Sequence, residues 1–209
     1  MQRKKIEKKQ AVLNAAIQVF ARHGYHNAKM AKIAELAGVS AGSLYLYYKN
    51  KADILIAIFE QLWDTLTAQF ATLTARSDLT ALEKLDGIID LIFDAFSGNP
   101  DLVIVFVNEH PLFHQKHHDF SRDRQRADQP YFARFLEAAE ALVCEAQRLG
   151  TFNPNIQPRA YLHFIFGGIR WVIFQWAQAP GHGDLARIRQ DIKLLTRQGT
   201  RGGKKPAEA

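Results

Sequence analysis

Apolar residues recur at helical spacing along nearly the whole chain. Over residues 7–23, Val12, Ala16, Val19 and Phe20, with Leu13 and Ile17 beside them, mark one face of a helix that Gly24 closes. Asn27 is placed to cap a second helix, which carries Met30, Ile33, Ala34 and Ala37 on one side and stops at Gly38. Ser40 caps a third, and Asn50 with Asp53 opens a long fourth through ILIAIFEQLWDTLTAQFATL. Three short helices and a long one predict a compact head.

Further along, Thr80 and Glu83 signal a capping box for a helix with Leu85, Ile89, Ile92, Phe93 and Phe96 inward and Asp86, Asp90 and Asp94 outward. The run DLVIVFVNE is rich in β-branched residues, but no second strand candidate exists to pair with it, so it reads as a short helix. Tyr131, Phe135, Leu136, Ala139, Leu142, Val143 and Ala146 give a helix over 130–149 closed by Gly150, and TFNPNIQP is a turn. RAYLHFIFGGIRWVIFQWAQ is apolar nearly all round, yet Arg170 interrupts it and no apolar run reaches the roughly 18 residues of a membrane span. A helix without a polar face must be covered on both sides, and Gly167-Gly168 admits a close helix approach, which predicts a subunit interface that includes Phe164 and Leu194. Residues 184–197 form a last amphipathic helix, followed by a polar, Gly-rich tail expected to be disordered.

Composition narrows the class. With 47% hydrophobic and 23% charged residues, the chain is a globular protein of one or two domains. The single Cys144 excludes an internal disulfide framework and a thiolate metal cluster, and its place on an apolar stripe reads as a buried core residue. The opening MQRKKIEKKQ is charged and lacks the apolar core of a signal peptide, so a cytoplasmic location is expected. Charge is the most informative property. Residues 1–51 hold ten Lys and Arg against Glu7 and Glu35, net +8, and the remainder of the chain is −2. A basic head on a nearly neutral body points to a polyanion for the head, against the simpler reading of a basic surface that serves only solubility.

GVSAGSLYLYYKNKADIL places three tyrosines in four residues of one short helix. Advancing about 100° per residue from Leu44 brings Tyr48 and Ala41 round to the same inward side. Gly42 and Leu46 point out, Ser43 lies beside them, and Tyr45 and Tyr47 fall one on each flank. A ridge of small residues between two phenols fits a DNA groove whose walls are phosphates: the ridge meets base edges and the phenols hydrogen-bond the backbone. Lys51 at the start of the fourth helix and Lys29 at the start of the second add ammonium groups beside helix-terminal amides.

From about Lys8 to Leu55 the sequence resembles the three-helix DNA-binding domain of the TetR family of bacterial transcriptional regulators. The resemblance rests on Gly24-Tyr25, Ile33-Ala34, Ala37-Gly38-Val39-Ser40, Gly42, Leu44-Tyr45, Tyr47-Tyr48 and Lys51. It implies that Gly42 and Ser43 face bases or nearby phosphates, that Tyr45 and Tyr47 bind phosphates, and that Lys51 anchors the fourth helix to the DNA backbone. Ser40, Ala41, Leu46 and Lys29 complete the expected surface. Ala28 and Lys29 stand where the family often has threonine, and Ala41 where it often has lysine or arginine. Beyond about residue 60 the resemblance implies a helical ligand-binding and dimerisation domain.

Competing constellations are weaker. His114, His117 and His118, with Asp119 adjacent and Glu109 and His110 upstream, approach metal-ligand spacing, but a His-rich connection beside Pro111 reads as a solvated loop. No metal and no cofactor are expected. There is no nucleophile elbow, phosphate-binding glycine loop or paired carboxylate to suggest an enzyme. An architectural DNA protein would share the head but has no need of about 150 further residues rich in Phe and Trp.

The expected protein is therefore all-α: a helix-turn-helix domain over 1–50, a ligand-binding and dimerisation domain over 51–198 and a tail over 199–209. It would bind a palindromic double-stranded operator as a homodimer, act as a repressor and be released by a small hydrophobic ligand. Trp63, Phe93, Phe96, Phe106, Phe132, Phe135 and Trp171 are candidates to line an apolar cavity. Arg170, in so apolar a helix, needs a partner, either Glu109 or an anionic ligand head. That pairing, with a resemblance of the body to fatty-acid-responsive members of the family, suggests a fatty acid or acyl-CoA. The alternative is an aromatic or cationic drug anchored by Glu109.

Overall fold

The computed structural model describes residues 2–114, 129–179 and 183–199. His117, His118, Asp119 and the tail from residue 200 lie outside the described residues, as do the side chains of His110, His114 and Phe132. Within them the chain forms α1 Gln2–Asn27, α2 Met30–Leu36, α3 Ala41–Tyr47, α4 Lys51–Thr74, α5 Ala81–Ser97, α6 Pro100–His114, α7 Gln129–Arg148, α8 Pro158–Gln178 and α9 Leu185–Gly199, with no strand among the described residues. DLVIVFVNE is helical, within α6. α1 starts five residues earlier than its apolar stripe announces. Gly24, at φ 71°, interrupts α1 where a side chain would strain the backbone.

The chain divides into two compact units, and these do not coincide with the expected division after residue 50. The first comprises Met1–Asp64 with Asn99–Pro130, the second Thr65–Gly98 with Tyr131–Ala209. In the first, Val12, Ala16 and Phe20 of α1 are buried together with Ile33 of α2, Leu44 of α3, Ile54, Leu55 and Phe59 of α4, and Val103 and Val105 of α6. α6 packs on α1, which is why it groups with the head.

The caps explain why the helices start where they do. Ser40 Oγ accepts from Ser43 N (3.2 Å), and Asn50 Oδ1 accepts from Asp53 N (2.9 Å) while Asp53 Oδ2 accepts from Lys49 N (3.1 Å). Thr80 and Glu83 form the expected capping box. Asn27 is not the cap of α2: Lys29 holds the N-cap position with extended backbone and no side-chain cap, and the Asn27 amide turns back to His23 O.

In the second unit, Phe70, Leu85, Ile88, Phe135, Ala139, Val143, Phe152 and Leu162 form the core. Of the three α5 aspartates expected to face outward, Asp94 is exposed and Asp90 partly exposed, but Asp86 is not. Asp86 is buried against Arg197, Asp90 pairs with Lys193, and Asp94 Oδ1 lies 2.6 Å from the Arg189 guanidinium, so acids at i, i+4 and i+8 meet bases at the same spacing on antiparallel α9. Cys144 is also corrected. It is exposed, because the buried stripe of α7 runs through Val143 and Ala146 and leaves residue 144 about 100° off that face.

Candidate nucleic-acid interface

α3 is seven residues long and cannot be stable alone. It is held by the Ser40 cap, by Leu44, which is fully buried, and by Tyr48, whose extended backbone ends the helix and turns its ring inward. Burial first, and then the charge of Glu60, pushes the Tyr48 phenol up to about 12, so it stays neutral and serves packing. What remains outside is the ridge. Gly42 has open space where a Cβ would sit, Tyr45 is exposed, and Leu46 at 86% is too exposed to be a packing residue of its own unit. Ser43 and Tyr47 are partly exposed. Ala41, placed inward by helical geometry, is exposed instead, because at the first position of the helix no core side chain reaches it.

With Tyr47 partly exposed on one flank of this ridge, Tyr47→Phe is expected to weaken operator binding by about 1 kcal/mol per half-site, the worth of one hydrogen bond, without loss of fold. Titration of duplex DNA with both proteins measures it.

Lys29 is exposed beside the start of α2, as a phosphate-binding lysine must be. Lys51 departs from its expected role. Its Nζ donates to Tyr25 O (2.8 Å) and His26 O (2.7 Å) and lies 4.6 Å from the centre of the Tyr25 ring. Its ammonium therefore ties the α1–α2 turn to α4, with at most one N–H left for a phosphate. The same turn is held by a third element: Glu109 Oε1, buried on α6, accepts from Tyr25 N at 3.0 Å. Glu109 is thus engaged with backbone of its own unit. The quoted Gly24-Tyr25 pair was the only local sign of this junction.

The other candidate ligand-site residues separate by unit. In the first, Trp63 and Phe106 meet edge-on at 6.3 Å, and Phe59 meets Phe106 at 5.8 Å. In the second, Phe135 packs between Phe70 (4.7 Å) and Phe166 (5.4 Å), Phe96 is buried, and Phe93 is fully buried under the Arg189 guanidinium at 5.4 Å. Arg170 and Trp171 are both exposed. A solvated guanidinium needs no buried counter-charge, so the desolvation argument for an anionic ligand head at Arg170 falls.

α8 instead presents an uncovered face. Phe164, Gly168 and Trp171 recur at i, i+4 and i+7, with Gly167 beside them, and neither glycine has an atom within 4 Å of where a Cβ would be. α9 adds exposed Leu194 and Leu195. At the far end of α8, Trp171, Val172, Trp176 and Ile188 line an open apolar groove of about 290 Å³. No described helix is long and apolar enough to cross a membrane.

Comparison with known proteins covers both parts of this arrangement. The family profile described as bacterial regulatory proteins, tetR family, matches residues 12–58, which span α2, α3 and their supports in α1 and α4. The fatty acid metabolism regulator protein of Bacillus subtilis is 28% identical over 184 residues, 88% of this chain and 91% of that protein. Among solved structures, the regulator FadR of Bacillus subtilis in complex with stearoyl-CoA superposes with a TM-score of 0.72 at 27% identity, covering 91% of this chain and 98% of that one. The fatty acid degradation regulator FadR of Bacillus halodurans gives 0.73 at 26% identity over 95% and 96% of the two chains.

Proposed function

We propose that this chain, whose residues 12–58 match the tetR family profile, is a regulator of that family: a cytoplasmic repressor that binds a palindromic operator as a homodimer and is released by a fatty acid or acyl-CoA. It acts by binding and not by catalysis. The head reads DNA through the α3 ridge of Ala41, Gly42, Ser43 and Leu46, flanked by Tyr45 and Tyr47 and reached from the side by Ser40 and Lys29. Two heads on a two-fold body meet two half-sites, so a ligand that favours a body conformation with the wrong head spacing releases the operator.

One observation carries the ligand class. The likeness to the stearoyl-CoA-bound regulator runs over 91% of this chain, the body included, and does not stop with the head. In the second unit, buried Phe93, Phe96 and Phe135 supply apolar material for an acyl chain, while exposed Arg170 and Trp171 are left out of that lining.

Thermal unfolding with stearoyl-CoA, stearate and a cationic aromatic dye tests the proposal, alongside operator release by the same compounds. An acyl ligand at about 100 times its Kd is expected to stabilise the protein by about 2.7 kcal/mol and to displace the DNA. Stabilisation by the dye with no response to either acyl compound would replace the lipid reading by a drug-sensing one.

A further inference from the structure

We propose that the first two turns of α1 are a second DNA-gripping element, in which Lys5, Lys8 and Lys9 bind backbone phosphates flanking the groove that α3 enters. The inference rests on the DNA-binding reading of the head. Residues 5–10 are all exposed and the first buried residue of α1 is Val12, so this stretch of helix contributes nothing to the core. Its electrostatics are unfavourable in isolation. The first turn contains no acidic residue, and Lys5 lies near the end of the helix where the macrodipole is positive. The first ten residues carry a net charge of +4, half of the head's excess. An external anion relieves that repulsion.

Geometry says where the anion lies. At about 100° per residue, Lys8, Lys5 and Lys9 fall within an arc of about 100°, and Glu7 lies on the opposite side. That arc is in line with Val12 and Ala16, both fully buried, so the lysines overhang the side of α1 on which the rest of the head packs. Lys9 fixes the placement: its Nζ lies 5.7 Å from the centre of the Tyr48 ring, and Tyr48 is the residue that ends α3. The lysine arc therefore begins at the C-terminal end of the recognition helix, and Lys5 extends it by about 6 Å, one further turn. Lysines are flexible point charges that suit phosphate and carry no base readout, so this element adds affinity and footprint length without sequence information.

The test compares the full-length parent with Lys5→Gln/Lys8→Gln/Lys9→Gln and with the corresponding triple Arg variant, on an operator selected from genomic fragments by the parent. The salt dependence of binding is expected to be flatter in the Gln variant by about 0.9 per lost contact, close to three per protomer, and unchanged in the Arg variant. Hydroxyl-radical footprints of the Gln variant should lose protection at the outer edges of each half-site while keeping the centre. Acetylation of the unaltered parent with and without operator, read by mass spectrometry, should show Lys5, Lys8 and Lys9 protected by DNA. Equal slopes and footprints for parent and Gln variant, or lysines that acetylate equally with and without operator, would overturn the proposal while leaving the head's role in place. A parent that selects no duplex at all would overturn the DNA-binding reading itself.

Discussion

Phe164→Glu combined with Trp171→Glu is expected to convert the dimer into a folded monomer whose operator affinity is lower by about 10²- to 10⁴-fold. The two side chains are 79% and 60% exposed, and with Leu194 and Leu195 they make an apolar surface that no part of their own unit covers. Full burial of such a side chain contributes about 1.5–3 kcal/mol, and a two-fold axis counts each residue twice, so four contributions vanish and four carboxylates enter the interface. Each monomer then meets a single half-site and loses the advantage of a linked second head. Gly168→Leu provides the control for fold. No atom lies within 4 Å of its Cβ position, and replacing a helical glycine gains roughly 0.8–1 kcal/mol of helix propensity. The protomer should therefore unfold no more easily, yet the added side chain obstructs close approach of a second α8. Sedimentation and operator titration of both variants check the prediction, and unchanged dimers would move the interface off this face.

The same residues show where reading the sequence works and where it stops. α3 and the exposure of its ridge, Ala41 excepted, were legible because what shapes them is local: a serine cap, the helical period of about 3.6 residues and a single buried leucine. The Thr80–Glu83 box was legible for the same reason. Arg170 was misplaced because a helix apolar on all sides looks buried, and only the fold shows that it lies exposed, as Phe164 and Trp171 of the same helix do. Asp86 was misplaced because its partner, Arg197, lies 111 residues away, and nothing near Asp86 distinguishes a solvated acid from a paired one. Lys51 is the third case. Its charge and position suit a phosphate, but the carbonyls it reaches belong to residues 25 and 26, which approach it only once α1 and α4 have packed.

Glu109→Ala is expected to separate ligand binding from operator release. The peptide segment after Gly24 is gripped twice: its Tyr25 N–H by Glu109 of α6 at 3.0 Å, its Tyr25 and His26 carbonyls by Lys51 of α4 at 2.8 and 2.7 Å. That segment joins α1 to α2, so any shift of α6 against α4 is passed to the elements that set α3 on the DNA. α6 also carries Phe106 and α4 carries Trp63, which pack on each other, so displacement of either ring moves one of the two grips. Removing the carboxylate leaves the Tyr25 N–H without its acceptor from α6, at a cost of about 1.5–3 kcal/mol for a bond to a charged group. The expected phenotype is a protein that an acyl ligand still stabilises against heat, but that needs about ten times more ligand for half-release of the operator, a coupling loss of about 1.4 kcal/mol. Glu109→Gln keeps an acceptor at the same reach and should release at a concentration much closer to that of the parent. If Glu109→Ala releases its operator at the parent's ligand concentration, the coupling does not pass through α6, and Lys51 of α4 becomes the contact that carries it.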